Sequence, residues 1–422
     1  MTSYIRLCLL AVALSCLSSP TQSAAADTSI DYEYEPISYS LTTPENRISR
    51  LQSAIRAGTK KLERTAAHGY LPALLKELDI LPSSQVMPFA KASLQDDKIS
   101  PSTPRALYFN EETYVGFVQN GVIEIAVFDP KLGMAFYTLS QKSDPPDFHQ
   151  ETNRCLTCHG SVRARNVPGL MVRSVHPNPD GQSVVAAGSF RTDHTSPLKQ
   201  RWGGWYVTGT HGEQTHLGNF RLPDNKKPKS IDNSAGQNVT DLSKFFDVQP
   251  YLTPHSDLVA LMVLEHQIDA QNFMTRAAFE TRIALHKANL PESTTDISKL
   301  PPELAAKVNA SVEALAKHLL FAGETKLTSP IRGTSSFATD FSGKTPSKTS
   351  VLRKFDLQTW LFKAPLSYMI DSPAFVSLPP LVKSRVRSRL QEVLVGRGRS
   401  EPFDHRSLTE LNDAIKVLAI ID

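Results

Sequence analysis

The chain has 422 residues, 46 basic and 42 acidic side chains, and a net charge of +4. Charge this close to balance excludes the concentrated basic excess of a nucleic-acid-binding protein, and 40% hydrophobic with 21% charged residues excludes wholesale disorder. Four cysteines are too few for a disulfide-built scaffold, and 29 prolines predict many fixed turns rather than long helical arrays.

The N-terminal 1–26 has the three-part layout of a secretory signal peptide. Arg6 is the only charge before Asp27, 7–17 is an apolar run, and Ser23-Ala24-Ala25-Ala26 supplies small residues for cleavage. The run is too short to span a bilayer comfortably. Cleavage would remove Cys8 and Cys16, and Ala13-Leu14-Ser15 makes Cys16 a poor lipid-attachment site. No later stretch approaches 18 apolar residues, so the expectation is an exported, periplasmic chain with no transmembrane segment.

Residues 27–100 read as an N-terminal helical region. Amphipathic helices are expected at 46–64 and 70–78, then a strand at 85–90. Residues 101–290 read as an α+β core. Its first part is an antiparallel meander over 106–109, 113–118, 122–128 and 134–139, with Asn120-Gly121 and Asp129-Pro130 as turns.

The meander leads into Cys155-Leu156-Thr157-Cys158-His159. These are the only cysteines left after cleavage, and C-x-x-C-H is the attachment motif of c-type haem. The spacing follows from the chemistry. Each thiol joins one vinyl group of the same porphyrin edge, and the next residue offers an imidazole to the iron as proximal ligand. Three other readings compete. Zinc would need more ligands than this motif supplies, a thioredoxin-like pair requires no histidine here, and a disulfide across two residues is strained. Export agrees with the haem reading, and a single motif with no internal repeat implies one covalent haem c held by Cys155, Cys158 and His159.

Further strands are expected at 169–175, 183–190 and 202–209. A long helix is expected at 257–285, with Ser256 as N-cap, Asp257 in its first turn, and Val259, Met262, Val263, His266, Ala270 and Phe273 along one face. Residues 291–422 read as a C-terminal helical region. It has a helix at 302–321, a loop at 323–350, a helix at 381–395 with Gly396 as C-cap, and a last helix at 407–420. The fold class is α+β: an antiparallel β-rich, haem-bearing core flanked by N-terminal and C-terminal helical regions.

The stretches 155–173, Thr192-Asp193-His194-Thr195-Ser196-Pro197 and 201–212, extended by 256–282 and 355–378, resemble a group of exported bacterial monohaem proteins described only as cytochrome c domain-containing. The resemblance implies haem binding and electron transfer, and no substrate. It is not to the short helical cytochromes, whose motif follows a helix and whose ligand methionine lies tens of residues downstream.

Two residues are candidates for the distal iron ligand: Met171, whose competing role is as a core residue, and His266, whose competing role is as a hydrogen-bonded core histidine. An open sixth position is the third possibility. His176, His194 and His211 lie in polar loops and read as solvated. Trp202, Trp205 and Tyr206 read as aromatic core or as cover for the porphyrin. Asp96-Asp97 and Glu111-Glu112 read as surface charge. Lys383, Arg385, Arg387, Arg389, Arg397 and Arg399 form a basic cluster that reads as a solvated helix face or as a docking surface for an acidic redox partner. No hydrolase, zinc-protease, nucleotide-binding or dinucleotide-binding motif is present. The expected function is periplasmic electron transfer through one haem. The alternatives are a haem-dependent, peroxidase-like oxidoreductase and a haem-based sensor with an open iron.

Overall fold

The computed structural model describes residues 29–226, 228–343, 350–396 and 408–419. The expected signal peptide lies outside the described residues, as do Arg397 and Arg399.

The chain opens with two short helices, α1 (Arg47–Arg56) and α2 (Leu71–Glu77). Asn46 caps α1. Its side chain accepts from the backbone N–H groups of Ile48 and Ser49 at 3.0 Å, and Ser49 Oγ returns the bond by accepting from Asn46 N. The helix expected over 46–64 stops at Arg56, just before Gly58 takes up φ 71°. Strand β1 (Met87–Pro88) follows, and then the meander of β2 (Ala106–Phe109), β3 (Thr113–Phe117), β4 (Ile123–Asp129), β5 (Gly133–Leu139) and β6 (Phe148–Gln150). These five form one antiparallel sheet in sequence order.

Alternation along these strands divides two cores. Ile123, Ile125 and Val127 of β4, with Ala135, Tyr137 and Leu139 of β5, point to a cluster that includes Ile48, Leu51, Leu71 and Leu74 of the N-terminal helices. Ala126 and Phe128, with Met134 and Phe136, point the other way, into the larger cluster. Both faces are therefore covered, which is why β4 and β5 read as nearly continuous apolar runs.

The larger cluster is organised by one helix. After α3 (Leu156–His159), β7 (Arg173–Val175), β8 (Ser189–Arg191), β9 (Trp205–Tyr206) and β10 (Gly209–Thr210) comes α4 (Leu258–Lys287). Its 30 residues run about 45 Å at 1.5 Å per residue. The N-cap is Asp257, not Ser256: the Asp257 carboxylate accepts from Val259 N at 2.8 Å and Ala260 N at 3.2 Å. Ser256 Oγ instead donates to Tyr206 O, outside the helix. The one-sided apolar face expected for this helix is also too narrow. Residues are buried on every side of α4, because the sheet packs on one flank and the C-terminal helices pack on others.

Those elements are α5 (Pro302–Leu319), β11 (Arg332–Gly333), α6 (Phe337–Gly343), α7 (Pro373–Val376), α8 (Pro380–Leu394) and α9 (Leu408–Leu418). The segment expected as a loop over 323–350 thus contains a strand and a helix. Phe337 and Phe341 of α6 bury themselves against Phe109 and Phe362, which outweighs the polar composition around them. The strands expected at 169–175, 183–190 and 202–209 shrink to two or three residues each. Around Gly203, a Cβ would lie 2.2 Å from Val175 O, so the absence of a side chain is what lets Val175 N donate to Gly203 O at 2.9 Å.

Several polar expectations also change. Glu111 pairs with Arg353 at 2.5 Å and Glu112 with Arg47 at 3.8 Å, all four half-buried, because the sheet's edge turn meets both helical regions. His176, His194 and His211 are buried, not solvated, since their loops are covered by neighbouring elements. Trp202 packs on His216 and Tyr206 on Phe89 and Phe246, as ordinary core. Arg389 binds Glu313 of α5, and Lys383 donates to Val376 O, so part of the basic cluster holds helices together. No described helix is long and apolar enough to cross a membrane.

Candidate functional site

Cys155 starts a single helical turn. Its carbonyl accepts from His159 N at 2.9 Å, and Gly160 N closes on Leu156 O at 2.8 Å. Three side chains of this turn matter. Cys158 is exposed, Cys155 is half-buried, and both are free thiols. The His159 ring is packed over the α4-facing side of the sheet, 5.1 Å from the ring of Phe136.

His159 is held from behind. Its Nδ1 lies 2.9 Å from the carbonyl oxygen of Gly169. A carbonyl only accepts, so Nδ1 carries the proton and Nε2 is left with a lone pair. Nε2 has no hydrogen-bond partner among the described residues, and it is not one of the buried orphan nitrogens. Burial lowers the pKa of the ring, and the Gly169 bond offsets this only in part, so the imidazole is neutral at pH 7.

The Gly169 carbonyl is fixed in turn by α4 and β5. Asn272 Oδ1 accepts from Leu170 N at 3.2 Å, and Asn272 Nδ2 donates to Leu170 O at 2.7 Å. Met134 N of β5 donates to Pro168 O at 3.1 Å. A Cβ on Gly169 would sit 2.1 Å from Asn272 Oδ1, so only glycine permits this approach. Gly160 has a similar role: a Cβ there would meet the hydroxyl of Tyr32 at 2.0 Å.

The two thiols differ electrostatically. Burial, with Glu151 beside it, pushes the Cys155 thiol up to about 12. Cys155 is therefore a protonated thiol at physiological pH. Before the motif, an open groove of about 550 Å³ is lined by Thr138, His149 and residues 150–154, ending at the residue next to Cys155. Its size lies within the roughly 300–1,000 Å³ of small-molecule sites.

The proposed distal ligands fare differently. Met171 is half-buried and lies outside the regular strand, two residues past Gly169. His266 is fully buried on α4, six residues before Asn272, which is about 9 Å along the axis. Both of its nitrogens have protein partners: Nε2 lies 2.7 Å from Ser367 Oγ and Nδ1 lies 3.0 Å from His194 Nδ1. His318 completes this group by donating from Nε2 to His266 O at 2.9 Å. Reading the sequence missed His318. Its signal was available: a histidine on the 302–321 helix, beside Leu315 and Leu319, on a face that becomes buried.

Charged pairs surround the group. Arg201 binds Glu265 at 3.0 Å, both fully buried. Burial raises the Glu265 carboxyl to about 7 against the opposing pull of Arg201. Asp269 is bound by Arg165 at 2.9 Å and by Arg191. Burial pushes the Asp269 pKa up, but the two guanidiniums outweigh it and hold the carboxyl well below the usual range. The Arg165 guanidinium also lies 3.6 Å over the Phe273 ring.

Compared with protein-family models, curated proteins and solved structures, the chain matches none.

Proposed function

We propose that the chain is an exported c-type haem protein whose Cys155 and Cys158 bind one haem covalently and whose His159 is the proximal iron ligand. The observation that carries this reading is the His159–Gly169 bond. It fixes the tautomer and orientation a metal-binding histidine needs, beside two reduced cysteines at the required spacing.

The residues fit the group. Cys155 and Cys158 would each hold the haem by addition across one vinyl double bond, sulfur taking one carbon and hydrogen ending on the other, with no net gain or loss of electrons. Cys155 remains a reduced thiol, less nucleophilic than a free one because burial keeps it protonated, and exposure leaves Cys158 accessible to a maturation system. His159 presents Nε2 while Gly169 and Asn272 keep the ring from turning. The bound haem would supply a ferrous–ferric couple, which suits periplasmic electron transfer to a protein partner.

The Met171 thioether makes no hydrogen bond among the described residues, whereas His266, to act as a distal ligand, would have to surrender the bond on its coordinating nitrogen, to Ser367 or to His194. The same fact favours, as a second reading, a haem oxidoreductase or sensor with an open iron. A haem stain on a denaturing gel, after co-expression with a haem c maturation system, tests the attachment. The ferrous spectrum with and without CO separates the two readings: a CO-inert, low-spin protein supports electron transfer, and a CO-binding one supports the second.

A further inference from the structure

His194 lies in the loop after β8, His266 on α4 and His318 in the last turn of α5. Distant parts of the chain thus deliver three imidazoles to one buried place. One ring nitrogen of each lies within 4.8 Å of the others. The His194 and His266 ring centroids are 5.1 Å apart, those of His194 and His318 4.5 Å, and those of His266 and His318 4.7 Å. Phe321 stacks on His266 at 4.1 Å and Phe273 closes on His318 at 5.1 Å, so aromatic faces line the group between the buried ion pairs of Glu265 and Asp269.

We propose that His194, His266 and His318 form a second metal site, separate from the haem motif, for a late first-row transition ion of the zinc or copper class.

His318 Nε2 donates to a carbonyl, so its proton is placed there and Nδ1 is a bare lone pair. His194 Nδ1 and His266 Nδ1 face each other at 3.0 Å, and such a contact needs either a proton or a cation between the two nitrogens. A proton serves two nitrogens. A metal ion serves three, and a third ring is already present.

The remote nitrogens have the outer-shell partners that orient metal-binding histidines: a backbone carbonyl for His318 and the Ser367 hydroxyl for His266. Ser367 Oγ is itself held by accepting from Met369 N at 3.2 Å. The Nε2 of His194 is buried, with no hydrogen-bond partner among the described residues. Burial lowers the pKa of all three rings, with mutual repulsion adding to the effect in His194 and His266, while Asp269 opposes it in His318. Neutral imidazoles are the form that binds metal.

The donor set selects the ion. Three imidazoles suit zinc, copper, nickel or cobalt, and magnesium and calcium require oxygen ligands. Tetrahedral zinc with bonds of about 2.0–2.1 Å places its nitrogens about 3.3 Å apart. The His194–His266 pair is near that spacing. The His266 and His318 rings are within 6° of parallel, so the His318 ring must tilt toward the other two as the ion enters.

The test uses the full chain, equilibrated with Zn²⁺, Cu²⁺, Ni²⁺ or Co²⁺ one at a time, dialysed, and analysed for metal with haem iron counted separately. The expected result is about one retained ion per chain for at least one of the four. His194→Ala and His318→Ala should each lower affinity at least about 10-fold, and His286→Ala, at the exposed end of α4, should not. A folded wild-type chain retaining less than about a tenth of an ion for all four metals overturns the proposal. So do folded alanine variants that bind as the wild type does. If those variants fail to fold, X-ray absorption of the Co²⁺-loaded wild type decides: imidazole ligands support the site, and their absence rejects it. This site rests on residues separate from the haem motif; in a chain without haem the free Cys155 and Cys158 thiols can take an ion of their own, so there the loss of one ion in His194→Ala and His318→Ala, not the total count, decides.

Discussion

His159 Nδ1 and the carbonyl oxygen of Gly169 lie 2.9 Å apart, ten residues apart in the chain, and Asn272 of the central helix holds the loop that presents that carbonyl. The histidine of the C-x-x-C-H turn is thereby attached to the most buried helix in the protein. Gly169→Ala should disturb this link, since the added Cβ would collide with the Asn272 amide. The expected loss is about 1–3 kcal/mol, read as a lower urea midpoint. The ferrous spectrum of the haem-loaded variant should also shift. A variant with unchanged stability and spectrum would remove Gly169 from the account.

The two thiols should react unequally before any haem is attached. Cys155 is held as a protonated thiol, while Cys158 is exposed. Only thiolate is nucleophilic, so iodoacetamide at pH 8 should modify Cys158 about 100-fold faster or more. Peptide mapping after timed quenching measures the ratio. Equal rates would contradict the environment described for Cys155.

Acid should destabilise the protein well before most of its carboxylates titrate, Glu265 excepted. Burial lowers the pKa of His194, His266 and His318, and lowers His216 to about 3 with His211 adding to the effect. Each folded value lies below the unfolded one of about 6.5, so between the two the unfolded chain binds protons that the native chain does not. The histidine contribution is therefore complete above about pH 6.5 and falls as pH drops below it, by up to about 1.4 kcal/mol per pH unit for each histidine, while Glu265, raised to about 7 in the fold, opposes it with one group's worth of the same slope. Asp269 has the same sign in a lower window, below about pH 4, where its unfolded form takes up a proton first. Thermal unfolding at pH 7 and pH 5 measures the first window, and equal midpoints would contradict it.

The buried Arg201–Glu265 pair should be costly to break from one side. Arg201→Met leaves Glu265 desolvated and unpaired, with an expected loss of about 3–5 kcal/mol. Adding Glu265→Gln should recover part of that loss by removing the stranded charge. Chemical denaturation of both variants measures the difference, and a double variant weaker than the sum of the two single ones would contradict the pairing.

Local chemistry made part of this legible in advance. The meander over 106–139 was readable because apolar runs of strand length were broken by Asn120-Gly121 and Asp129-Pro130, and the C-x-x-C-H turn stood out because two rare residues lie at a short, fixed spacing. The long helix was readable too, but its one-sided face was not what the fold used. Nothing within 258–287 states that a sheet and several helices surround it. His194 looked solvated because its neighbours are polar, and only tertiary contact with His266 and His318 makes it a buried group. Gly169 carried no motif at all. Its role depends on Asn272, more than one hundred residues away.

The most direct test of the central claim is the intact mass of the purified mature chain after co-expression with a haem c maturation system, measured under denaturing conditions. The account predicts a gain of one haem per chain, retained through denaturation and confined to a peptide containing Cys155 and Cys158. A chain that keeps both thiols free and carries no haem under those conditions, with stoichiometric zinc bound at the motif, would contradict it.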